Sequence, residues 1–353
     1  MSELRQDRTT GRSVIIAPQR RLRPGAQERR VNAEPLARPR FDPGCPFCPG
    51  NEASLPGIIA EIPMDGPPHW AVRVAPNKFP TLDHDAKAAP ADRHCVHPGF
   101  GFHEVIIETP RHDGDLSVMT DPEIEGVVAA YHLRSHRLLD EPGIEAVIVF
   151  RNHGRRGGAS LAHPHSQAMA IGFVPPLPAL LADWGQRYFD ETSRCPTCDE
   201  LAIERELAVR VIEDAPHFLA IAPFAAEHPS EVWIVPKEHR ASFVDTDEPQ
   251  RRELARLLRR MLSRLRQERD DPPYNFVIDS AARPHLRSPF VHWRLRIAPE
   301  LATWGGFELG AGTPVNPSRP EEDAVILRAA HNEQMFSALP PIATDAQTAR
   351  AGI

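Results

Sequence analysis

Two stretches of this chain, E-V-I-I-E-T-P-R-H at 104–112 and E-V-W-I-V-P-K-E-H at 231–239, open and close alike. Each begins with a glutamate, runs through β-branched and bulky apolar residues, and places a histidine eight residues on. A short apolar run of this kind reads as a buried strand. Both strands lead into a helix start. Thr120-Asp121-Pro122-Glu123 and Asp247-Glu248-Pro249-Gln250 each fit a capping box with proline in the first turn. Behind them, Ile124, Val127, Val128 and Tyr131 form one apolar stripe at helical spacing, and Leu254, Leu257, Leu258, Met261 and Leu265 form the other.

Outward from this pair the match continues. Cys45 and Cys48 precede V-R-V-A-P-N-K-F-P at 72–80, as Cys195 and Cys198 precede F-L-A-I-A-P-F-A at 218–225. Each helix is followed by a strand, at 146–150 and at 275–278, and then by a histidine, His163 or His292. His112 and His163 are 51 residues apart, and His239 and His292 are 53 apart. The chain therefore reads as a duplicated α+β unit of about 150 residues per half. The boundary falls near 175–192, where Val174-Pro175-Pro176-Leu177-Pro178 breaks any element. That gives a first domain at 1–175, a second at 176–336, and an Ala/Pro/Thr-rich tail at 337–353 expected to be disordered. The basic, proline-bearing segment 24–40 reads as a loop.

Two cysteines and two histidines per half suit tetrahedral zinc, whose usual ligands are thiolate and imidazole. Cys45, Cys48, His112 and His163 form one candidate site, and Cys195, Cys198, His239 and His292 form the other. Two zinc ions per chain are expected. A thioredoxin-like role fits less well, because Cys-Pro-Phe-Cys runs into Pro-Gly-Asn and not into a helix.

The chemistry concentrates in G-G-A-S-L-A-H-P-H-S-Q at 157–167. Glycines let the backbone approach a phosphate, and Pro164 biases His163 toward an extended conformation. In an extended run, residues 163, 165 and 167 share a side. His163 can then hold zinc while His165 and Gln167 face a substrate. A neutral imidazole is a competent nucleophile toward phosphorus. The second half has Trp293 and Arg294 where the first has Pro164 and His165, so the repeat predicts one catalytic half and one structural half.

Composition sets the bounds. The 353 residues carry a net charge of −7, which argues against coating of nucleic acid and confines any phosphate site to a local patch. The N-terminus is charged, and no run is long and apolar enough to span a membrane. A cytoplasmic location is the default expectation, and there four cysteines in two C-x-x-C pairs read as metal knuckles before disulfides.

H-P-H-S-Q at 163–167, C-P-F-C-P-G-N at 45–51, V-R-V-A-P-N-K-F-P at 72–80 and R-x-D-x-x-T-G-R-x-V-I-I-A-P-x-R-x-x-R-P at 5–24 resemble the galactose-1-phosphate uridylyltransferase family of the histidine-triad superfamily. The resemblance extends to about residue 330. It implies two tandem histidine-triad-like domains, each an antiparallel sheet with packed helices. It also implies a ping-pong reaction in which His165 attacks the α-phosphorus of UDP-glucose and galactose 1-phosphate then attacks the uridylyl-histidine. Gln167 matches the glutamine that hydrogen-bonds the nucleotidyl phosphate, where histidine-triad hydrolases carry a third histidine. Asn77 and Lys78 match the nucleotide-binding turn, and Arg20 and Arg23 match phosphate-contacting arginines. Asn152 and Ser160 flank or belong to the glycine-rich loop, and Glu308 is a candidate for sugar hydroxyls. A homodimer is expected, with neither nucleic acid nor membrane as partner. Ser166 departs from the glycine common in the family, and Arg296 and Ala298 occupy the places of a His-x-His pair found in iron-holding members. The C-x-x-C form with H-x-H-S-Q also resembles plant-type ADP-glucose phosphorylase, which leaves the nucleotide base and the hexose open. A non-enzymatic zinc-binding interaction protein accounts for the cysteines but not for residues 157–167.

Overall fold

The computed structural model describes residues 2–22, 38–86, 97–302 and 305–330. Arg23, Cys95, most of the expected loop at 24–40 and the expected tail lie outside the described residues.

In the first half, β3 (Ala60–Pro63), β4 (Trp70–Pro76), β5 (Gly101–Ile107), β6 (Ala146–His153) and β7 (His165–Ile171) surround helix α1 (Asp121–Leu139). The second half repeats them as β8 (Val211–Asp214), β9 (Phe218–Ile221), β10 (Val232–Pro236), β11 (Tyr274–Asp279) and β12 (Arg294–Pro299) around α4 (Glu248–Arg269). All ten strands join one antiparallel sheet in the order β3-β4-β5-β7-β6-β11-β12-β10-β9-β8. The order of one half is the reverse of the other, so the halves meet as a pseudo-twofold pair through β6 and β11. Asn152 lies opposite Asn275, and Phe150 opposite Val277.

Both helix starts form as their residues predict. The Thr120 N–H donates to Glu123 Oε2 at 2.7 Å. The Gln250 N–H donates to Asp247 Oδ1 at 2.8 Å, and the Asp247 N–H to Gln250 Oε1 at 3.2 Å. Satisfying these otherwise orphaned donors contributes about 1 kcal/mol per helix. The two apolar stripes then meet one face of the sheet in a single core that includes Val127, Tyr131, Leu254, Leu258, Ile106 and Ile234. Full burial of each such side chain contributes roughly 1.5–3 kcal/mol.

Over β5 and β10 the other face of the sheet is also covered, which is why Val105-Ile106-Ile107 and Val232-Trp233-Ile234-Val235 are apolar without alternation. Val105 and Ile107 turn away from Ile106 to pack with Cys45, Phe47, Cys48 and Trp70. Trp233 and Val235 likewise turn away from Ile234 to pack with Leu201, Leu219 and Ile221. Each cysteine knuckle thus lies on the face opposite the long helices.

The proline-rich stretch at 174–178 differs from its reading as a breaker. It ends the strand but begins a helix, α2 (Pro176–Thr192), with Pro175 as its N-cap. Proline is tolerated there because the first-turn N–H groups have no intrahelical partner. Helix α3 (Pro196–Leu207) starts in the same way from Cys195.

A second, small sheet pairs β1 (Glu3–Gln6) with β2 (Ser13–Ile16) and β2 in parallel with β13 (Val315–Asn316). It ties the N-terminus to the second half. Arg5 pairs with Glu321 at 2.9 Å, and Arg294 donates to Thr9 Oγ1 at 2.8 Å. Helices α5 (Gly306–Ala311) and α6 (Pro320–Ala329) complete the chain's described elements. Among the described residues, no helix is long and apolar enough to cross a membrane.

Candidate active site and metal centres

Both Cys/Cys/His/His sets predicted from the repeat assemble. In each, the four ligand atoms lie within 4.8 Å of one another. Cys48 Sγ is 3.5 Å from His112 Nδ1 and 3.6 Å from His163 Nδ1. Cys198 Sγ is 3.5 Å from both His239 Nδ1 and His292 Nδ1.

The histidine tautomers fit a metal. The Nε2 of His163 faces the Thr109 carbonyl oxygen at 2.8 Å, that of His239 faces Ser288 O at 3.0 Å, and that of His292 faces Pro236 O at 3.0 Å. A carbonyl oxygen only accepts, so each Nε2 carries the proton and each Nδ1 turns a lone pair toward the thiols. Backbone acceptors behind metal-bound imidazoles commonly set the ring in this way. Burial pushes His163 down to about 4, which keeps the ring neutral, and pushes the Cys45 thiol up to about 11. Buried thiols of that kind become thiolates when a cation supplies compensating charge. The backbone N–H of Asp42 donates to Cys48 Sγ at 3.4 Å, a contact suited to a thiolate.

Directly after His163, β7 opens with His165. Its Nδ1 lies 2.8 Å from the His163 carbonyl oxygen, so Nδ1–H donates and the Nε2 lone pair is free of the proton. Burial lowers the affinity of His165 for a second proton, which keeps the ring uncharged. Phe47, from within the Cys-x-x-Cys knuckle, meets the His165 ring edge-on at 5.3 Å between centroids. The knuckle therefore restrains this ring as well as offering metal ligands.

His165 borders a cleft that Arg38, Asn152, Gly154, Ala159 and Leu161 also line. The glycine-rich loop needs its glycines. A Cβ at Gly157 would lie 2.3 Å from the His153 carbonyl oxygen, and Gly158 has a φ of 92°. On the far side of β7, Ser166 is fully buried against Glu108 and Tyr131. Tyr131 Oη donates to Glu108 Oε1 at 2.9 Å and lies 2.7 Å from Ser166 Oγ. Ser166 Oγ also donates to Glu108. Arg151 closes the network, with Nε 3.0 Å from Glu108 Oε2 and Nη1 2.7 Å from Tyr274 Oη. The hydroxyl of Ser166, absent from the glycine common in the family, is thus accommodated by a buried carboxylate.

Gln167 lies on the same strand face as His165. Asn77 Nδ2 is 3.5 Å from Gln167 Oε1, so the turn after β4 reaches the site as expected. Lys78 is exposed beside it, Ser160 is exposed on the loop, and Arg20 is exposed in the turn at Pro18–Leu22. Glu308 is not among the residues lining the cleft; its carboxylate accepts from the Gly305 N–H at 2.8 Å and caps α5. In the second half, Arg294 stands where His165 does. It lies over the Trp233 ring at 3.7 Å and contacts Asp279 at 3.4 Å, so no imidazole is presented there.

Sequence reasoning missed Arg38, Phe47, His103, Glu108 and Arg151. Glu108, just past the end of β5, and Arg151, within β6, were hidden in apolar runs. A charged residue within an apolar run is their only signal, and it says nothing of a partner across the sheet.

The family model for galactose-1-phosphate uridyl transferase, N-terminal domain, matches residues 1–175. The chain is 36% identical over 334 residues to ADP-glucose phosphorylase of Arabidopsis thaliana, covering 92% of each. It is 27% identical over 341 residues to galactose-1-phosphate uridylyltransferase of Thermotoga maritima, covering 93% of this chain and 98% of that one. Among solved structures, ADP-glucose phosphorylase from Arabidopsis thaliana with bound ADP-glucose aligns with a TM-score of 0.80 at 34% identity, over 94% of this chain and 99% of that one. A uridylyltransferase structure aligns at 0.71 and 27% identity, over 94% and 98%.

Proposed function

Because the chain belongs to the galactose-1-phosphate uridylyltransferase family of nucleotidyltransferases, we propose that it moves a nucleotidyl group from a nucleoside diphosphate hexose to a phosphate acceptor through His165. The observation that carries this reading is the His165 Nδ1–H bond to the His163 carbonyl, which leaves the Nε2 lone pair free of the proton on a ring that borders the cleft. In the first step, His165 Nε2 attacks the α-phosphorus. The P–O bond to the hexose 1-phosphate breaks, and that group leaves with the electron pair. In the second step, an acceptor phosphate oxygen attacks the phosphorus, the N–P bond breaks, and neutral imidazole returns. Gln167 donates a hydrogen bond to a non-bridging oxygen but has no proton to give a leaving group, which favours transfer over hydrolysis.

Asn77, Lys78 and Asn152 serve the nucleotide and its phosphates, with Ser160 on the loop above them; Arg20 and Arg23 are assigned to phosphates, and Glu308 to the hexose, on the family match alone. Two zinc ions, one per Cys/Cys/His/His set, would supply positive charge that holds the thiolates and anchors His163 and His292. The repeat divides the chain into a catalytic unit at 1–175 and a structural one at 176–336.

For the donor we favour ADP-glucose with inorganic phosphate as acceptor. Support comes from the 36% identity across nearly the full length and from the 0.80 alignment to the ADP-glucose complex. UDP-glucose with galactose 1-phosphate, the sequence expectation, is the second reading, supported by the family match and the Thermotoga maritima relative. Steady-state rates with each donor and each acceptor decide between them. Turnover of UDP-glucose with galactose 1-phosphate and none of ADP-glucose with phosphate reverses the preference. Trapping of labelled nucleotide on the protein without acceptor tests the mechanism itself, and failure with both donors overturns it.

A further inference from the structure

His103 sits on β5, diagonal across the ladder from Gln167. Val105 is the direct partner of Gln167, and His103 is two residues away on the same face. His103 Nε2 lies 2.7 Å from Gln167 Oε1. That distance alone does not say which end of the amide faces the ring, nor which ring nitrogen carries the proton. Two backbone donors do.

The Thr81 N–H points at His103 Nδ1 from 3.1 Å. A backbone N–H can only donate, so Nδ1 must accept and is bare. Burial disfavours the doubly protonated ring, so the one proton sits on Nε2. His103 Nε2–H then requires an acceptor, and the Gln167 carbonyl oxygen supplies it. The Phe79 N–H donates to Asn77 Oδ1 at 2.9 Å, so Nδ2 is the end of Asn77 that faces His103 Nε2 at 3.2 Å and Gln167 Oε1 at 3.5 Å; with the His103 proton on Nε2, of these two only the Gln167 oxygen can accept from it. Both settings come from one turn at residues 77–81. The Asn77 N–H in turn donates to the His103 carbonyl oxygen at 2.8 Å, which holds that turn to β5.

We propose that His103 is a positioning residue that fixes the polarity of the Gln167 amide, holding its oxygen so that its NH2 is the end offered to the phosphate at His165. A glutamine amide free to flip presents a donor or an acceptor with similar ease. Against a phosphate oxygen only the donor stabilises, so an unset amide spends part of its time repelling the charge it should bind. The turn at 77–81 already reaches the site through Asn77, so seating of the nucleotide and setting of the amide are mechanically joined. The inference rests on the nucleotidyl-transfer reading for its consequence, while the tautomer can be measured without any substrate.

The test has two arms on the full chain. In the first, long-range 1H–15N correlation spectra of uniformly 15N-labelled protein, with His103 assigned by its loss in His103→Gln, report the tautomer. A bare Nδ1 and a protonated Nε2 are expected; a protonated Nδ1 overturns the proposal whatever the activity. In the second, the rate of nucleotide capture by His165 is compared in His103→Ala, His103→Gln, Gln167→Ala and the His103→Ala/Gln167→Ala pair, each with metal content and melting temperature checked. His103→Ala should slow capture by roughly tenfold or more, His103→Gln should restore most of it because its amide NH2 can replace the Nε2–H, and His103→Ala should cost no more than about twofold once Gln167 is gone. Losses that multiply in the double variant, or a His103→Gln no better than His103→Ala, would mean that His103 does not act through Gln167. A wild-type chain that takes no label from either donor sinks the transfer reading, and the spectra still decide the polarity.

Discussion

His165 Nδ1 and the carbonyl oxygen of His163 stand 2.8 Å apart, so a candidate metal ligand and the candidate nucleophile share one main-chain hydrogen bond. The imidazole of His163 points into the cysteine cluster while its carbonyl orients the ring two residues on. His165→Ala should therefore abolish nucleotide capture with metal content unchanged. His163→Ala should lose metal and capture together although His165 remains. Elemental analysis alongside trapped label checks both, and capture at the wild-type rate by a His163→Ala chain lacking its first metal would break the link.

The second cluster is predicted to act through stability. Cys195 caps α3 and Cys198 lies in its first turn, so this set ties α3 to the loops carrying His239 and His292. Cys198→Ser should reduce metal from two per chain to one and lower the melting temperature by several degrees, because metal binding energy at a structural site is folding energy. Capture at His165, measured well below the transition, should stay within about twofold of wild type. A collapse of capture in a folded Cys198→Ser protein would give the second half a direct part in the chemistry.

The Glu108–Arg151 pair beneath β7 is almost wholly buried, with side-chain exposures of 0% and 3%. Removing one member of such a pair leaves an uncompensated charge, at a cost of about 3–5 kcal/mol. Glu108→Gln keeps an acceptor for Tyr131 and Ser166, so its loss belongs near the lower end. Arg151→Met alone should also destabilise, and the double variant should be less destabilised than the sum of the two. Denaturant titration of all four proteins gives the cycle, and additive losses would deny the coupling.

The fold was legible because the duplication compares the sequence with itself. The Glu-to-His strands, two capping boxes and two apolar stripes each occur twice, and each pair forms equivalent elements. The metal sets were legible for the same reason. The small sheet of β1, β2 and β13 was not, since its strands are only four, four and two residues long and join opposite ends of the chain. His103 was hidden because its role depends on the register between β5 and β7, and a one-residue slip would turn it to the other face. Glu308, the hexose candidate, also accepts from the Gly305 N–H at a helix N-terminus, a local contact that residue type alone does not foretell.

Glu204 gives the chain a pH signature independent of the active site. Its side chain has no exposed surface, and Arg210 Nε reaches Oε1 at 2.8 Å. Its Oε2 is without a hydrogen-bond partner among the described residues. Burial outweighs Arg210 and raises the carboxyl from 4.5 to about 7. The folded state therefore holds this proton more tightly than the unfolded chain. The resulting stabilisation is fully present below pH 4.5 and disappears as pH rises through about 7. Glu204→Gln keeps an acceptor for Arg210, which also retains Glu321 at 3.0 Å, and has nothing to ionise. Relative to wild type, the variant should gain stability steadily between pH 5 and pH 8, by about 2 kcal/mol in all. Other titrating groups are common to both proteins and cancel in the difference. Denaturation midpoints at several pH values test this; a difference that stays flat, or that falls as pH rises, would show that Glu204 is ionised in the fold at neutral pH and paired to Arg210 as a net stabilising contact.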